Sequence, residues 1–196
     1  MCSFNHRLYN TIMAPLENNR LKLKRAMLLE EVAGDVLEIG FGTGANLKHY
    51  PYEQMDSLTL MDMHLPDHVH LGDIPKHLPL DIERGDVQAL PFKDHSFDSV
   101  VFTLVFCSVE APMLGLSEIH RVLKPEGRIY FLEHVKPVRE PYRTVFNKLT
   151  PPWKVLAHGC HLNRDTMASI SKSGFQLMDY HRFYRTSFVS GIGKKA

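Results

Sequence analysis

The 196-residue sequence lacks the features that mark membrane, secreted and nucleic-acid-binding proteins. No run of 18 apolar residues is long enough to span a bilayer, and the first ten residues, MCSFNHRLYN, contain no apolar signal-peptide core. The three cysteines, Cys2, Cys107 and Cys160, lie far apart, which argues against a disulfide framework and favours a reducing cytoplasm. A formal net charge of +1 and the lack of interleaved aromatic and basic residues predict no nucleic-acid partner.

The remaining composition is that of one globular domain. Hydrophobic residues make up 44% and charged residues 23% of a chain without repeats or low-complexity linkers, so we treat residues 1–196 as a single domain. Short apolar runs alternate with helical patterns, which predicts an α/β fold with a mainly parallel sheet. Strands are expected at 35–39, 57–62, 80–83, 97–106 and 128–135, helices within 16–32, 112–123 and 163–173, and an antiparallel pair after 175. Asn18 or Asn19 is the candidate cap of the first helix, and Asn163 that of the last.

The stretch VLEIGFGTGANL, residues 36–47, is the most informative motif. A buried strand leads into Gly40, Gly42 and Gly44, and glycines accept positive φ and allow a ligand to approach the backbone closely. A short helix is expected to follow and to end near Pro51. Because residues 40–45 also fit the dinucleotide pattern G-x-G-x-x-A, this motif alone admits either NAD or S-adenosylmethionine.

Two acidic residues further along the chain indicate a nucleoside. Asp62 ends the second expected strand, 18 residues after Gly44, where a carboxylate can accept hydrogen bonds from both ribose hydroxyls. Asp86 lies in the loop after the third expected strand. Its carboxylate can accept from an adenine amino group, while Val87 offers a backbone N–H; the alternative for Asp86 is a local turn.

Four motifs in this order resemble the signature of class I S-adenosylmethionine-dependent methyltransferases. They are LEIGFGTG, LMD, GDVQALPFKDHSFDSVV and EIHRVLKPEGRIYFLEHV, and they cover about 36–135. A narrower resemblance, carried by GTGANLKHYP, TLVFCSV, YFLEHV and GCHLNRDT, is to the small methyltransferase-like alkyl thiol methyltransferases of animals, which are associated with endoplasmic reticulum and lipid droplets. Those proteins begin with a hydrophobic anchor that this sequence does not show, so a cytoplasmic location is expected here.

The resemblance implies a fold, a cofactor and a set of binding residues. The fold is a Rossmann-like three-layer sandwich whose seven-stranded sheet is mostly parallel with the last strand antiparallel. The cofactor is S-adenosyl-L-methionine, which leaves as S-adenosyl-L-homocysteine. Glu38 would lie near the methionine amino group and Thr103 near the methionine segment. The full set of implied cofactor-binding residues is Glu38, Gly40, Gly42, Thr43, Gly44, Asp62, Met63, Asp86, Val87 and Thr103.

The function implied is methyl transfer to a small-molecule acceptor, which the narrower resemblance makes a thiol. A quinone or lipid-headgroup methyltransferase is the alternative within the same class. A non-catalytic module that binds S-adenosylmethionine is an alternative of another class. An NAD-dependent dehydrogenase is less favoured, because the sequence has neither a Tyr-x-x-x-Lys pair nor a second domain to supply a catalytic histidine.

The candidate catalytic residues follow the ends of expected strands, where parallel sheets bind their ligands. His134 follows the fifth strand and titrates near neutral pH when unperturbed. Cys107 follows the fourth, and Asp86 is a third candidate if it faces the substrate. His158, Cys160 and His161 are close in sequence but form only a partial ligand set, so no metal is expected.

Two segments flank this predicted site. Residues 1–33 are interpreted as an N-terminal helical lid and residues 136–162 as a substrate-side insertion. The basic and apolar residues of 20–31, with Arg20, Lys22, Lys24 and Arg25, are typical of a solvated helix covering the cofactor. Peripheral membrane contact is the weaker alternative for this helix. The sequence predicts no oligomeric state.

Overall fold

The computed structural model describes residues 21–66, 69, 71–157 and 159–196. In chain order its elements are α1 (Lys22–Leu29), β1 (Gly34–Ile39), β2 (Met55–Asp62), β3 (Leu80–Arg84), β4 (Phe97–Thr103), α2 (Pro112–Val122), β5 (Leu123–His134), α3 (Tyr142–Leu156), α4 (Thr166–Lys172), β6 (Phe175–Phe183) and β7 (Phe188–Lys195). Two short 3₁₀ turns, Leu47–His49 and Tyr52–Gln54, lie between β1 and β2.

The strands form one seven-stranded sheet in the order β3-β2-β1-β4-β5-β7-β6. Neighbours from β3 to β5 pair in parallel, and β7 runs antiparallel to both β5 and β6. The fold expected from the sequence, including the antiparallel last strand, is thereby confirmed. The strand order reverses between β1 and β4, and in open α/β sheets this reversal opens the ligand crevice at the carboxyl ends of the strands.

Helices cover both faces of the sheet because its central strands are apolar on both sides. On one face, alternate residues of β1 and β4 such as Leu37 and Phe102 pack with α2 and α4. On the other face, residues such as Val36, Leu58 and Val101 pack with α1. Glu38 shares this second face with Val36, so a carboxylate is buried where apolar side chains would be expected.

The connection after the glycine turn differs from the expected short helix. Hydrogen bonds from the Gly44 N–H to the Phe41 carbonyl at 2.9 Å and from the Leu47 N–H to the Gly44 carbonyl at 3.1 Å form successive tight turns. Only the 3₁₀ turn at Leu47–His49 follows. The expected short helix is thus reduced to one 3₁₀ turn, which ends before Pro51 as expected.

Two boundaries also differ from the sequence expectation. The KPEG segment lies inside β5, where the pairing with β4 shifts from Phe97↔Leu123 to Ser99↔Arg128 and leaves four residues as a bulge. The bulge places Lys124 Nζ 3.0 Å from an Asp35 oxygen and 2.7 Å from an Asp98 oxygen. Helix α4 is capped by Asp165, whose side chain accepts from the Ala168 N–H, and not by Asn163.

Some expectations concern residues outside this description. The candidate caps Asn18 and Asn19 of the first helix and the basic residue Arg20 lie before residue 21. In the described ranges, no helix combines the length and the apolar character needed to cross a bilayer. The single-domain boundaries, the lid at 1–33, the insertion at 136–162 and the cytoplasmic location stay predictions.

We expect Gly191→Ala to destabilise the β5–β7–β6 pairing by about 1–3 kcal/mol, the usual cost of overpacking. A β-carbon at Gly191 would lie 2.6 Å from the Asp179 carbonyl oxygen and 2.8 Å from Phe131 Cζ. Gly193→Ala in the same strand is the matched control, since its nearest atoms lie 3.1 Å away or more. Urea unfolding measures both; an equal loss in the two variants would contradict this account.

Candidate functional site

The glycine turn presents open backbone at the carboxyl end of β1. Gly42 has φ of 52°, and a β-carbon added there would meet no atom of the described chain within 4 Å. A β-carbon on Gly40 would instead collide with Val105 from the turn after β4. Glycine is therefore required at position 40 by close packing, while position 42 faces unfilled space that can receive a ligand.

Asp62 is held against this turn from the end of β2. Its Oδ2 accepts from the Gly42 N–H at 3.0 Å, and its Oδ1 accepts from the His64 N–H at 3.0 Å. Each carboxylate oxygen has a further lone pair, and the side chain is half-buried. The geometry leaves Asp62 able to accept from two neighbouring hydroxyls, although its ribose role stays a prediction. Thr43 and Met63 are both exposed beside it.

Asp86 is engaged within its own turn. Its Oδ1 accepts from the Gln88 N–H at 2.9 Å, and the Gln88 side-chain amide donates to both carboxylate oxygens at 3.1 and 2.9 Å. Val87 is buried and packs against Gly115 of α2. These contacts are the local turn that the sequence left as the alternative, and the adenine role of Asp86 and Val87 stays a prediction.

A buried polar network joins β1, β4 and α1 behind the glycine turn. Glu38 accepts from Asn46 Nδ2 at 2.9 Å and from the Tyr50 hydroxyl at 2.7 Å. The Arg25 guanidinium donates to Asn46 Oδ1 and to Thr103 Oγ1, each at 2.7 Å. The network therefore connects the two strands that flank the topological switch to the helix that covers them.

Burial determines the ionisation of Glu38. Loss of water raises its pKa from 4.5 to about 6, against the lowering effects of the Tyr50 and Asn46 hydrogen bonds and of the Arg25 charge. The same burial, with the Glu38 charge, raises the pKa of Tyr50 well above its usual value. Each Glu38 oxygen thus has a hydrogen-bond partner inside the protein. The contact of Glu38 with a methionine amino group stays a prediction.

Arg25 is the residue of this site whose location was predicted wrongly from the sequence. It was expected on the solvated face of a basic helix, yet it is only 4% exposed, whereas Leu23 and Met27 of α1 are 61% and 52% exposed. A charge pattern gives no signal for this burial, because the partners Asn46 and Thr103 lie 21 and 78 residues away. The roles of Asn46 and Tyr50 were missed for the same reason.

His134 lies at the end of β5 in an aromatic setting. Its ring stacks on Phe146 of α3 with centroids 5.6 Å apart and meets the edge of Phe188 at 5.0 Å. Burial lowers the pKa of His134 to about 4, so the imidazole is neutral at pH 7 and a weak base. Its Nδ1 has no hydrogen-bond partner in the part of the chain that the structure describes.

Cys107 lies in a cluster of polar groups between the turn after β4 and the loop after α3. The Cys107 carbonyl accepts from the His161 N–H at 2.8 Å, and Arg164 donates to the Phe106 carbonyl at 2.6 Å. The neighbouring Cys160 thiol, with burial, raises the pKa of Cys107 well above the usual value. Cys107 thus remains a thiol at neutral pH, which disfavours it as a base or nucleophile.

Glu133 fixes the turn that carries Cys107. Its Oε1 accepts from the backbone N–H groups of Val105 and Phe106 at 2.9 and 3.1 Å. Complete burial raises the pKa of Glu133 to about 8, against the lowering effect of these backbone bonds. Its sequence position beside His134 indicated proximity to the site but gave no indication of this backbone contact.

The partial set of metal ligands noted in the sequence lies within residues 158–161. His158 lies outside the described residues, while Cys160 and His161 contact the Cys107 turn. Within the described ranges, no group of three or more His, Cys, Asp or Glu side chains is arranged to hold a metal ion. The structure therefore brings Cys160 and His161 against the turn after β4.

Comparisons with known proteins identify relatives of this chain. A family profile described as a methyltransferase domain matches residues 37–131. The chain is 31% identical over 192 residues to the thiol S-methyltransferase TMT1B of Homo sapiens, covering 87% of this chain and 75% of that protein. It is 37% identical over 146 residues to the protein of the same name from Rattus norvegicus, covering 71% of this chain and 59% of that protein.

The solved structures show the same architecture. An S-adenosylmethionine-dependent methyltransferase from Mesorhizobium loti superposes with a TM-score of 0.64 at 18% identity, over 87% of this chain and 95% of that chain. At this identity the comparison shows a shared fold. The relatives found by sequence comparison are longer proteins. The matched part of the present chain covers less than two thirds of the length of the rat protein.

We expect the stability of the unliganded protein to depend on Glu38 ionisation. Because its folded-state pKa of about 6 exceeds 4.5, its contribution is fully present below about pH 4.5 and is lost as pH rises through about 6. Urea unfolding should therefore show Glu38→Gln gaining about 2 kcal/mol relative to the native protein between pH 4 and pH 7. The exposed Glu53→Gln is the control, and identical pH slopes for both variants would contradict the prediction.

Proposed function

The chain belongs to the S-adenosylmethionine-dependent methyltransferases, and from this membership we propose that it transfers the cofactor's methyl group to a small-molecule thiol. The family predicted from the four motifs is confirmed by the methyltransferase-domain match and by the human relative. The observation that carries the thiol acceptor is the alignment with human thiol S-methyltransferase TMT1B, which extends over 87% of this chain.

The glycine turn and Asp62 fit the nucleoside part of the cofactor. None of the described residues has an atom within 4 Å of a β-carbon placed on Gly42, and Asp62 is fixed beside this position with acceptor capacity to spare. In this proposal Asp62 takes the ribose hydroxyls, the backbone of residues 40–44 lies along the methionine and ribose parts, and Asp86 with Val87 faces the adenine. Oδ2 of Asp86 accepts one hydrogen bond, from Gln88, and keeps a lone pair for the adenine amino group.

The buried network fits the amino-acid end of the cofactor, which is a zwitterion. Glu38 supplies the charge that an ammonium group needs, and Arg25 supplies the charge that a carboxylate needs. The Thr103 hydroxyl lies beside these groups and accepts hydrogen bonds from both Arg25 and Asn46. Asn46 and Tyr50 each donate to one Glu38 oxygen, and each oxygen keeps a further lone pair that can accept from the ligand in this proposal.

Bound S-adenosylmethionine supplies a methyl group already activated by a positively charged sulfur. The task left to the protein is to align the acceptor with the S–CH₃ bond and to exclude water, which can lower a barrier by several kcal/mol. The residues that surround the acceptor in this proposal come from the turn after β4, the end of β5 and segment 136–162. Phe146, stacked on His134, gives this side an apolar surface suited to an alkyl thiol.

Proton removal does not require a strong base in this proposal. A thiol with a pKa near 8.5 is a few per cent ionised at pH 7, and its thiolate is a strong nucleophile. His134 is a weak base at this position, and Cys107 keeps its own proton. Activity should therefore follow the ionisation of the acceptor, in contrast to a hydroxyl acceptor, which needs a base beside it.

We expect Asp62→Ala to weaken binding of S-adenosylhomocysteine at least tenfold, because it removes two hydrogen bonds to a charged acceptor, each worth about 1.5–3 kcal/mol. Isothermal titration calorimetry measures this loss. The exposed Asp81→Ala on the neighbouring strand β3 is the matched control and should bind as the native chain does. Unchanged affinity of Asp62→Ala would remove Asp62 from the ribose site, and binding of NADH alone would overturn the cofactor assignment.

The acceptor is tested with a panel of alkyl thiols, quinols, phenols and amines in the presence of radiolabelled S-adenosylmethionine. Labelled thioether is expected from the thiols, with a rate that rises with pH up to the pKa of each thiol. Methylation of quinols alone would favour the alternative within the enzyme class. Cofactor binding without turnover of any acceptor would favour a non-catalytic module.

A further inference from the structure

We propose that Cys107 and Cys160 are a modification site at which a peroxide forms a reversible disulfide within the chain. The two cysteines are 53 residues apart in sequence and come from opposite sides of the acceptor region. Cys107 lies in the turn after β4, and Cys160 lies in the loop after α3. The proposal goes beyond methyl transfer and does not depend on the identity of the methyl acceptor.

Backbone contacts hold these two segments together. The His161 N–H donates to the Cys107 carbonyl at 2.8 Å, and a β-carbon at Gly159 would touch the Ser108 carbonyl oxygen at 3.7 Å. The residues on each side of Cys160 therefore contact Cys107 and the residue after it. These contacts bring the two thiols close enough for each to affect the ionisation of the other.

The environment makes one thiol reactive and keeps the other protonated. The neighbouring Cys107 thiol, together with the Arg164 charge, outweighs burial and lowers the pKa of Cys160 to about 7. Cys160 is also partly exposed, whereas Cys107 is 4% exposed. A thiolate that small molecules can reach, with a second thiol beside it, is the arrangement found in redox-sensitive cysteine pairs.

The chemistry balances with hydrogen peroxide as the oxidant. The Cys160 thiolate attacks one peroxide oxygen, which breaks the O–O bond, gives a sulfenic acid and releases hydroxide. Oxidation of Cys160 removes the neighbouring thiolate that keeps Cys107 protonated, so Cys107 can now give up its proton. Its sulfur attacks the Cys160 sulfur, an S–S bond forms, the Cys160 hydroxyl leaves, and the Cys107 proton completes the water. Two sulfurs lose two electrons and the peroxide gains them; a dithiol such as dithiothreitol reverses the reaction.

This bond would close a covalent ring that contains α2, β5 and α3. It would fix the end of segment 136–162 to the turn that Glu133 holds after β4. Such a bond is compatible with a reducing compartment, where disulfides are transient and responsive to oxidants. The wide sequence separation that argues against a structural disulfide framework therefore does not argue against this pair.

The test uses the full chain at pH 7 with a few equivalents of hydrogen peroxide, followed by N-ethylmaleimide. Intact-mass analysis should show loss of two hydrogens and one alkylated cysteine, Cys2. Non-reducing peptide mapping should link Cys107 to Cys160, and dithiothreitol should restore three alkylated cysteines. Alkylation of all three cysteines after oxidation, a link through Cys2, or a dimer joined by Cys160 would overturn the proposal.

Matched variants separate the two thiols. Cys2→Ser should keep the disulfide, while Cys160→Ser, at a partly exposed position, should abolish it and leave Cys107 unoxidised. Cys107→Ser keeps a hydroxyl donor and should leave Cys160 as a sulfenic acid that dimedone labels. Far-ultraviolet circular dichroism checks that each variant folds. If Cys107→Ser does not fold, the outcome rests on peptide mapping of the native chain and of Cys160→Ser. Oxidation of Cys107 in Cys160→Ser at the native rate would contradict the order of steps.

Discussion

A carboxylate buried at the carboxyl end of β1 is the constraint on which this site depends. Glu38 lies on a face of the sheet that is otherwise apolar, and a buried acid must find hydrogen-bond donors within the protein. It finds them in Asn46 and Tyr50, which reach it because the chain makes tight turns after the glycines. Arg25 completes the arrangement from α1, so that one buried charge specifies the path of three segments.

The parts of the fold that depend on local pattern could be predicted from the sequence. The buried strands, helix α2 behind Pro112 and the final antiparallel pair follow from apolar periodicity and from the punctuation of proline and glycine. The bulge in β5 could not be predicted this way. KPEG is a turn pattern, and only the carboxylates of Asp35 and Asp98, brought to the same edge by the sheet, draw Lys124 into the strand.

The candidate site likewise contains features that could be predicted from the sequence and features that could not. The glycine turn and Asp62 could be found because backbone conformation and strand ends leave a sequence signal. The burial of Arg25 and the contact of Cys107 with Cys160 leave none, since each depends on residues far apart in the chain. A basic helix gives the same pattern whether one of its arginines is solvated or buried. Side chains that meet only in the folded state therefore set the limit of what sequence reasoning could recover.

The charges around the glycine turn give a physical reason for preferring one cofactor. Burial is the main cause of the raised pKa of Glu38, and the charge of Asp62 adds to it, so the two carboxylates repel each other across this turn. A pyrophosphate placed there would add two further negative charges beside Glu38 and Asp62. S-adenosylmethionine carries an ammonium and a sulfonium against one carboxylate, and its net positive charge would relieve the repulsion that burial makes costly. The same G-x-G-x-x-A pattern thus suits different ligands according to the charge of the residue two positions before it.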